Sequence, residues 1–226
     1  MFELQGEGRE AARSGGENTM LTSTRRRDDL LTAGLVGGPL YVVVSLIEVA
    51  VRDGFDPSRH AWSMLANGSF GWVHSANLVV SGALVVAGAA GLFRATGSRA
   101  AAVLIALYGA GMVGSGIFRA DPGRGFPVGT PEVVPVSWHG ILHFVVGGIG
   151  FLGLFGASQV LGRRLRRENR PRLALFSRVT GIVFLVSFVA MAATGGAAWA
   201  LLAFTGAVIL ASGWLTVVFA HYRRSL

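Results

Sequence analysis

Two histidines four residues apart, in the segment His139-Gly-Ile-Leu-His143, form the most specific chemical pattern in the chain. On a helix this spacing projects both rings from one face, one turn apart, so that they could hold one metal ion with a third ligand from another helix. His74 is the candidate third ligand and zinc the candidate ion. Asp121, in Phe118-Arg-Ala-Asp-Pro-Gly-Arg-Gly-Phe-Pro, is a carboxylate that could join them. Ser63 and His60 lie in Asp56-Pro-Ser-Arg-His-Ala-Trp-Ser-Met-Leu. Against this reading, the pair lacks the acidic neighbour of an H-E-x-x-H motif. Histidine is also tolerated at a membrane interface, where its polar tip meets headgroups and water. Glu48 stands four residues before Arg52 and is expected to pair with it. His221, beside Tyr222 and Arg223, reads as an interfacial anchor. A haem held between His74 and His139 or His143 would lack a second histidine pair for electron transfer across the membrane.

The elements that must position these residues are membrane helices. Of 226 residues, 52% are hydrophobic and 14% charged, with a mean hydropathy of +0.55, whereas a soluble domain carries about 25% charged residues. The apolar residues run continuously rather than alternating, which excludes a β-barrel. With no cysteine there is no disulfide and no thiolate metal site. Six runs follow one another: Leu30 to Val51, Gly71 to Phe93, Ala100 to Phe118, Trp138 to Val160, Leu173 to Ala193 and Ala197 to Ala220. Each is long enough for a hydrocarbon core of about 30 Å at about 1.5 Å per residue. The tight connection at Thr194-Gly-Gly makes spans five and six an antiparallel hairpin.

All the basic charge is arginine, which outnumbers acids and gives a net +8. It gathers before span one (Arg25 to Arg27), between spans two and three (Arg94, Arg99), between spans four and five (Arg163, Arg164, Arg166, Arg167, Arg170, Arg172) and at the end (Arg223, Arg224). The positive-inside rule then predicts an all-α, six-helix bundle in the cell membrane with both termini cytoplasmic. Residues 1–29 would be a disordered cytoplasmic tail, with Met20 a plausible start. Residues 30–220 would be the membrane domain and 221–226 a short cytoplasmic tail. The arginine loops would meet anionic lipid headgroups, and charge so placed is not a nucleic-acid surface.

On this topology Glu48, His74, His139 and His143 all fall at the outer boundary. The interior of the spans holds no Asp, Glu or Lys, which disfavours proton-coupled transport. Gly34 and Gly38 form a G-x-x-x-G pattern read as tight intramolecular packing. Gly147, Gly150, Gly153 and Gly156 make a ladder that predicts a central position for span four. The proline- and glycine-rich stretch from Pro122 to Pro135 is expected to be extended and to cross the outer mouth of the bundle. The segment from Arg59 to Gly71 is expected to be interfacial or re-entrant.

Three segments resemble a bacterial and archaeal membrane family known only as domain of unknown function nine-nine-eight: Ser63-Met-Leu-Ala-Asn-Gly before Trp72, Phe118-Arg-Ala-Asp121-Pro, and His139-Gly-Ile-Leu-His143. The resemblance runs from about Leu30 to the C-terminus and implies a six-helix membrane protein without implying an activity. A more distant likeness is to membrane hydrolases of the alkaline-ceramidase and adiponectin-receptor type. That likeness implies His139, His143 and His74 as zinc ligands with Asp121 and Ser63 as catalytic partners. The chain departs from it in having six spans rather than seven, no serine four residues before His74, and the histidine pair in span four. Three readings therefore stand: an uncharacterised membrane protein with an outward polar site, a zinc-dependent lipid hydrolase, and a binder or exporter of lipids or small molecules that does no chemistry.

Overall fold

The computed structural model describes residues 3–224, with side chains from Arg25 onward. Of residues 1–29, expected as a disordered tail with Met20 as a plausible start, Met1 and Phe2 lie outside the described residues, residues 3–24 are described by backbone alone as part of α1, and Arg25 to Asp29 continue that helix. Six helices make up most of the chain: α1 (Glu3–Val51), α2 (Gly71–Thr96), α3 (Arg99–Ile117), α4 (Trp138–Arg167), α5 (Pro171–Ala193) and α6 (Ala198–Arg224). A short 3-10 helix, Trp62–Ala66, interrupts the α1–α2 connection. All six helices are long and apolar enough to cross a membrane, α1 from Arg25 onward.

The ends of the helices follow local chemistry. α2 stops at Gly97, whose φ of +67° only glycine adopts without strain. Ser98 then caps α3, accepting from the Ala101 N–H at 3.4 Å. Pro171 opens α5, where its missing N–H costs nothing. Gly195 and Gly196, both at positive φ, turn α5 into α6.

Each helix packs on its sequence neighbours, and α6 returns to α1, so the six form a closed ring with Arg25 of α1 and Arg224 of α6 at the same, arginine-rich end. No helix is central, which corrects the expectation for α4. Its glycine ladder faces α3 instead: a Cβ on Gly150 would come within 3.1 Å of the Gly111 Cα, and one on Gly153 within 2.8 Å of the Leu104 carbonyl. Glycine here permits a close seam between two neighbours. Gly34 and Gly38 do the same inside the chain, against the Phe219 ring and the Ser212 backbone of α6.

The ring is filled unevenly. Toward the arginine-rich end Leu154, Trp214, Leu215 and Phe219 are fully buried in one apolar core. There the Trp214 indole N–H donates to Ser177 Oγ at 2.9 Å. Toward the loop end the ring is hollow.

Candidate functional site

The hollow is a cavity of about 580 Å³ bounded by all six helices and the two long loops. Counting inward from the loop end at about 1.5 Å per residue, its floor at Tyr41, Tyr108, Phe151 and Val208 lies roughly half a bilayer deep. The wall is apolar apart from Ser63, Ser115, His143, Thr205, the two tyrosines and the loop charges at the mouth. A ring cluster lines its lower edge: Phe151 of α4 meets Phe188 at 4.8 Å and Phe184 at 5.0 Å on α5, and Phe204 of α6 at 5.5 Å.

The loops form a roof held by specific bonds. Arg124, in the α3–α4 loop, donates from Nη1 to the Gly196 carbonyl at 2.9 Å and from Nη2 to that of Gly195, which ties the loop to the α5–α6 turn. Its own carbonyl accepts from His60 Nε2 at 3.0 Å. That nitrogen must carry the proton, because His60 Nδ1 accepts the Asp56 N–H at 2.9 Å. Arg59 pairs with Glu132 at 2.8 Å. Phe126 is buried between Phe55 and His60, at ring distances of 5.2 and 5.4 Å. Arg52 donates to the Leu65 and Asn67 carbonyls of the 3-10 segment. The α3–α4 loop thus does cross the mouth of the bundle.

The residues singled out from the sequence have separate roles. Asp121 accepts from the Ser137 N–H at 2.9 Å and from the Ser137 hydroxyl, while Ser137 Oγ accepts from the Gly140 N–H at 3.1 Å. This places a carboxylate at the N-terminus of α4, where the helix dipole favours negative charge. Gly140 is required beside it, because a Cβ would collide with the Asp121 carboxylate. His143 is buried, and its Nδ1–H donates to the carbonyls of Phe118 at 2.8 Å and Ser115 at 3.2 Å. Its Nε2 is left as an acceptor on the cavity wall. His139 instead lies exposed, stacked on Trp138 at 3.6 Å. Ser63 lines the cavity from the 3-10 helix.

His74 belongs to another interface. It is wholly buried between α1 and α2, and its Nδ1 meets Glu48 Oε2 at 2.7 Å. Arg52 lies farther from Glu48, at 3.8 Å, so the principal partner of Glu48 is this histidine rather than the arginine one turn on. Glu48 Oε1 and His74 Nε2 have no hydrogen-bond partner. The polar ladder continues inward: Asn77 Nδ2 donates to the Tyr41 carbonyl at 3.1 Å and to Ser45 Oγ at 3.3 Å, and Ser81 Oγ donates to Asn77 Oδ1 at 3.2 Å. Among the described residues no group of three or more His, Cys, Asp or Glu side chains is placed to hold a metal ion. His74, His139 and His143 therefore do not form one.

Tyr41 and Tyr108 were the residues sequence reasoning passed over. Tyrosine favours the ends of spans, yet each of these stands about ten residues from the nearer loop end of an apolar run, a signal that was present in the sequence.

Six apolar helices closed into a ring define a multi-pass integral membrane protein. More particularly, the chain belongs to the family described as "Protein of unknown function (DUF998)", whose sequence profile matches residues 35–221. Neither a curated protein nor a solved structure matches it.

Proposed function

We infer that the protein is a binding protein of the cell membrane, holding one amphipathic molecule in the loop-end half of its helix ring without chemistry of its own. The observation that carries this reading is the cavity. Its volume of about 580 Å³ falls within the roughly 300–1,000 Å³ of small-molecule sites, which are mostly apolar with few polar groups. The floor offers Phe151, Phe188, Phe204 and Val208 to a hydrocarbon chain, while Ser63, Arg59 and Glu132 at the roof suit a polar head. The distribution of arginine supports a cytoplasmic position for both termini, so the cavity opens toward the outer leaflet, and supports contact of the exposed Arg163, Arg166 and Arg167 with anionic headgroups.

Filling the cavity tests the reading. Val208→Trp puts an indole on the floor without touching the roof. Native mass spectrometry of wild-type protein released from mild detergent should show a bound lipid-sized adduct that the variant lacks. A wild type with no adduct, or a variant with an undiminished one, would overturn the reading.

A further inference from the structure

Five of the six seams between neighbouring helices are closed at the depth of the cavity. Glu48–His74 and Asn77 join α1 to α2. Gly116 of α3 packs on the Ser75 backbone of α2, where a Cβ would come within 2.7 Å of the carbonyl. His143 and Asp121 tie α4 to the end of α3. The α5–α6 turn joins its own two helices, and between α1 and α6 Trp62 packs on Tyr41 at 6.0 Å while Ala61 packs against the cluster of Met191, Ala200 and Leu201.

The α4–α5 seam differs. Its contacts are at the arginine-rich end, where Gln159 donates to the Arg178 carbonyl at 3.2 Å, and at the Phe151–Phe188 pair. Among the described residues no hydrogen bond or ring contact joins α4 to α5 on the loop side of Phe151. Phe144 lines the cavity yet is 61% exposed, and Ala192 lines it from α5 while also exposed. Gly148, one turn inward of Phe144 on α4, also lines the cavity, and an added Cβ there would meet nothing within 4 Å. The first three turns of α4 lean on α3, while α5 at this depth packs on α6 through Phe188–Phe204 at 5.7 Å and Met191 with Leu201.

We propose that this gap is a lateral portal through which a membrane lipid passes from the surrounding leaflet into the cavity, so that the ligand is a bilayer amphiphile rather than a solute arriving from water. The inference rests on the binding reading above. It adds the route, and with the route the source of the ligand. The roof, stitched by Arg124 to the α5–α6 turn, stands over the alternative path from water, whereas an acyl chain reaching the portal leaves hydrocarbon for hydrocarbon. Phe144 and Ala192 form its two jambs and the Phe151–Phe188 pair its sill.

The test is the rate at which a membrane probe reaches the floor. Protein in phosphatidylcholine vesicles is mixed with vesicles carrying a single-chain lysophosphatidylcholine whose chain bears a diazirine. Samples are flash-irradiated at increasing times and labelled residues are mapped by mass spectrometry. Wild-type protein should be labelled at Tyr108 or Val208 on the floor and at Leu202 or Ile209 on the outside of α6. Gly148→Trp and Ala192→Trp, each placing an indole in the opening, should slow floor labelling several-fold and leave the outer labels unchanged. Ala192 is exposed, so its variant stands in if the glycine replacement disturbs folding, as judged by thermal melting. Wild-type floor labelling rates in both variants, together with loss of floor labelling in Val208→Trp, would overturn the portal and leave the cavity as a binding site filled by another route. Absence of floor labelling in the wild type would instead overturn the binding reading itself.

Discussion

The two halves of the ring are built from the same helices and the same kinds of residue, yet one is solid and the other hollow. At the arginine-rich end, large side chains and glycines alternate across the ring: Phe219 fills the space that Gly34 and Gly88 leave open, and Trp214 reaches Ser177. At the loop end the small residues Gly111, Gly147 and Gly150 have no such large partner across the ring, and the space remains. Its walls are held by polar contacts between neighbours and by the roof. The comparison teaches that small residues close a bundle only when something large answers them. Where only a backbone answers, as Gly111 answers Gly150, the two helices close on each other and the ring stays open.

The largest effect tests which half faces outward. With no native cysteine, Val133→Cys at the loop end and Arg166→Cys at the other should separate all-or-none under a membrane-impermeant maleimide. In intact cells only the first should label, and labelling of the second would invert the topology. Next comes the solid half. Trp214→Ala should cost about 3–5 kcal/mol, seen as a large drop in thermal melting in detergent, whereas Met112→Leu on the cavity wall keeps its volume and should cost less than about 1.5 kcal/mol. Equal losses would show that the halves do not differ in packing.

How much of this was legible depends on what each feature needs. The spans were readable because an apolar run of about 20 residues carries its own evidence, and the observed helices match the six runs in order and place. The loop crossing the mouth was readable from Pro122 to Pro135. The Glu48–His74 pair was not, because depth along each span was given by counting but azimuth was set by packing. For the same reason the three histidines at one depth read as one group, although His139 faces out of the bundle, His143 turns to the end of α3 and His74 to α1. The cavity left no mark in composition, since Phe, Val and Gly that line a void look the same in sequence as those that face lipid. Only the mid-span tyrosines hinted at an interior that was not solid.

A third test sharpens the account of the hollow half's walls. His74→Ala leaves the buried Glu48 without its closest partner and should cost about 1–3 kcal/mol, and a cost near zero would show that the pair does not hold α1 to α2. The smallest effect concerns the roof. The Ser58 hydroxyl and then its N–H, both donating to Asp56, hold that carboxyl below its ordinary pKa. The folded value is the lower one, so the contribution is present above the unfolded value and is lost as pH falls through the folded one, below about pH 4. Hydrogen exchange of the Asp56–His60 turn should quicken over that range, and Asp56→Asn should abolish the dependence. An unchanged acid limb in that variant would assign it elsewhere.

Closure of the ring also sets an order of assembly. The Thr216 hydroxyl meets the Leu35 carbonyl across 181 residues of sequence, so α1 waits for its last neighbour until α6 has been made. At ribosomal speeds of about 5–20 residues per second that delay is on the order of 10 to 40 s. During it the glycine face of α1 at Gly34 and Gly38 has no Phe219 or Ser212 to meet, and a nascent chain stopped before α6 would present that groove to whatever helix the insertion machinery holds beside it.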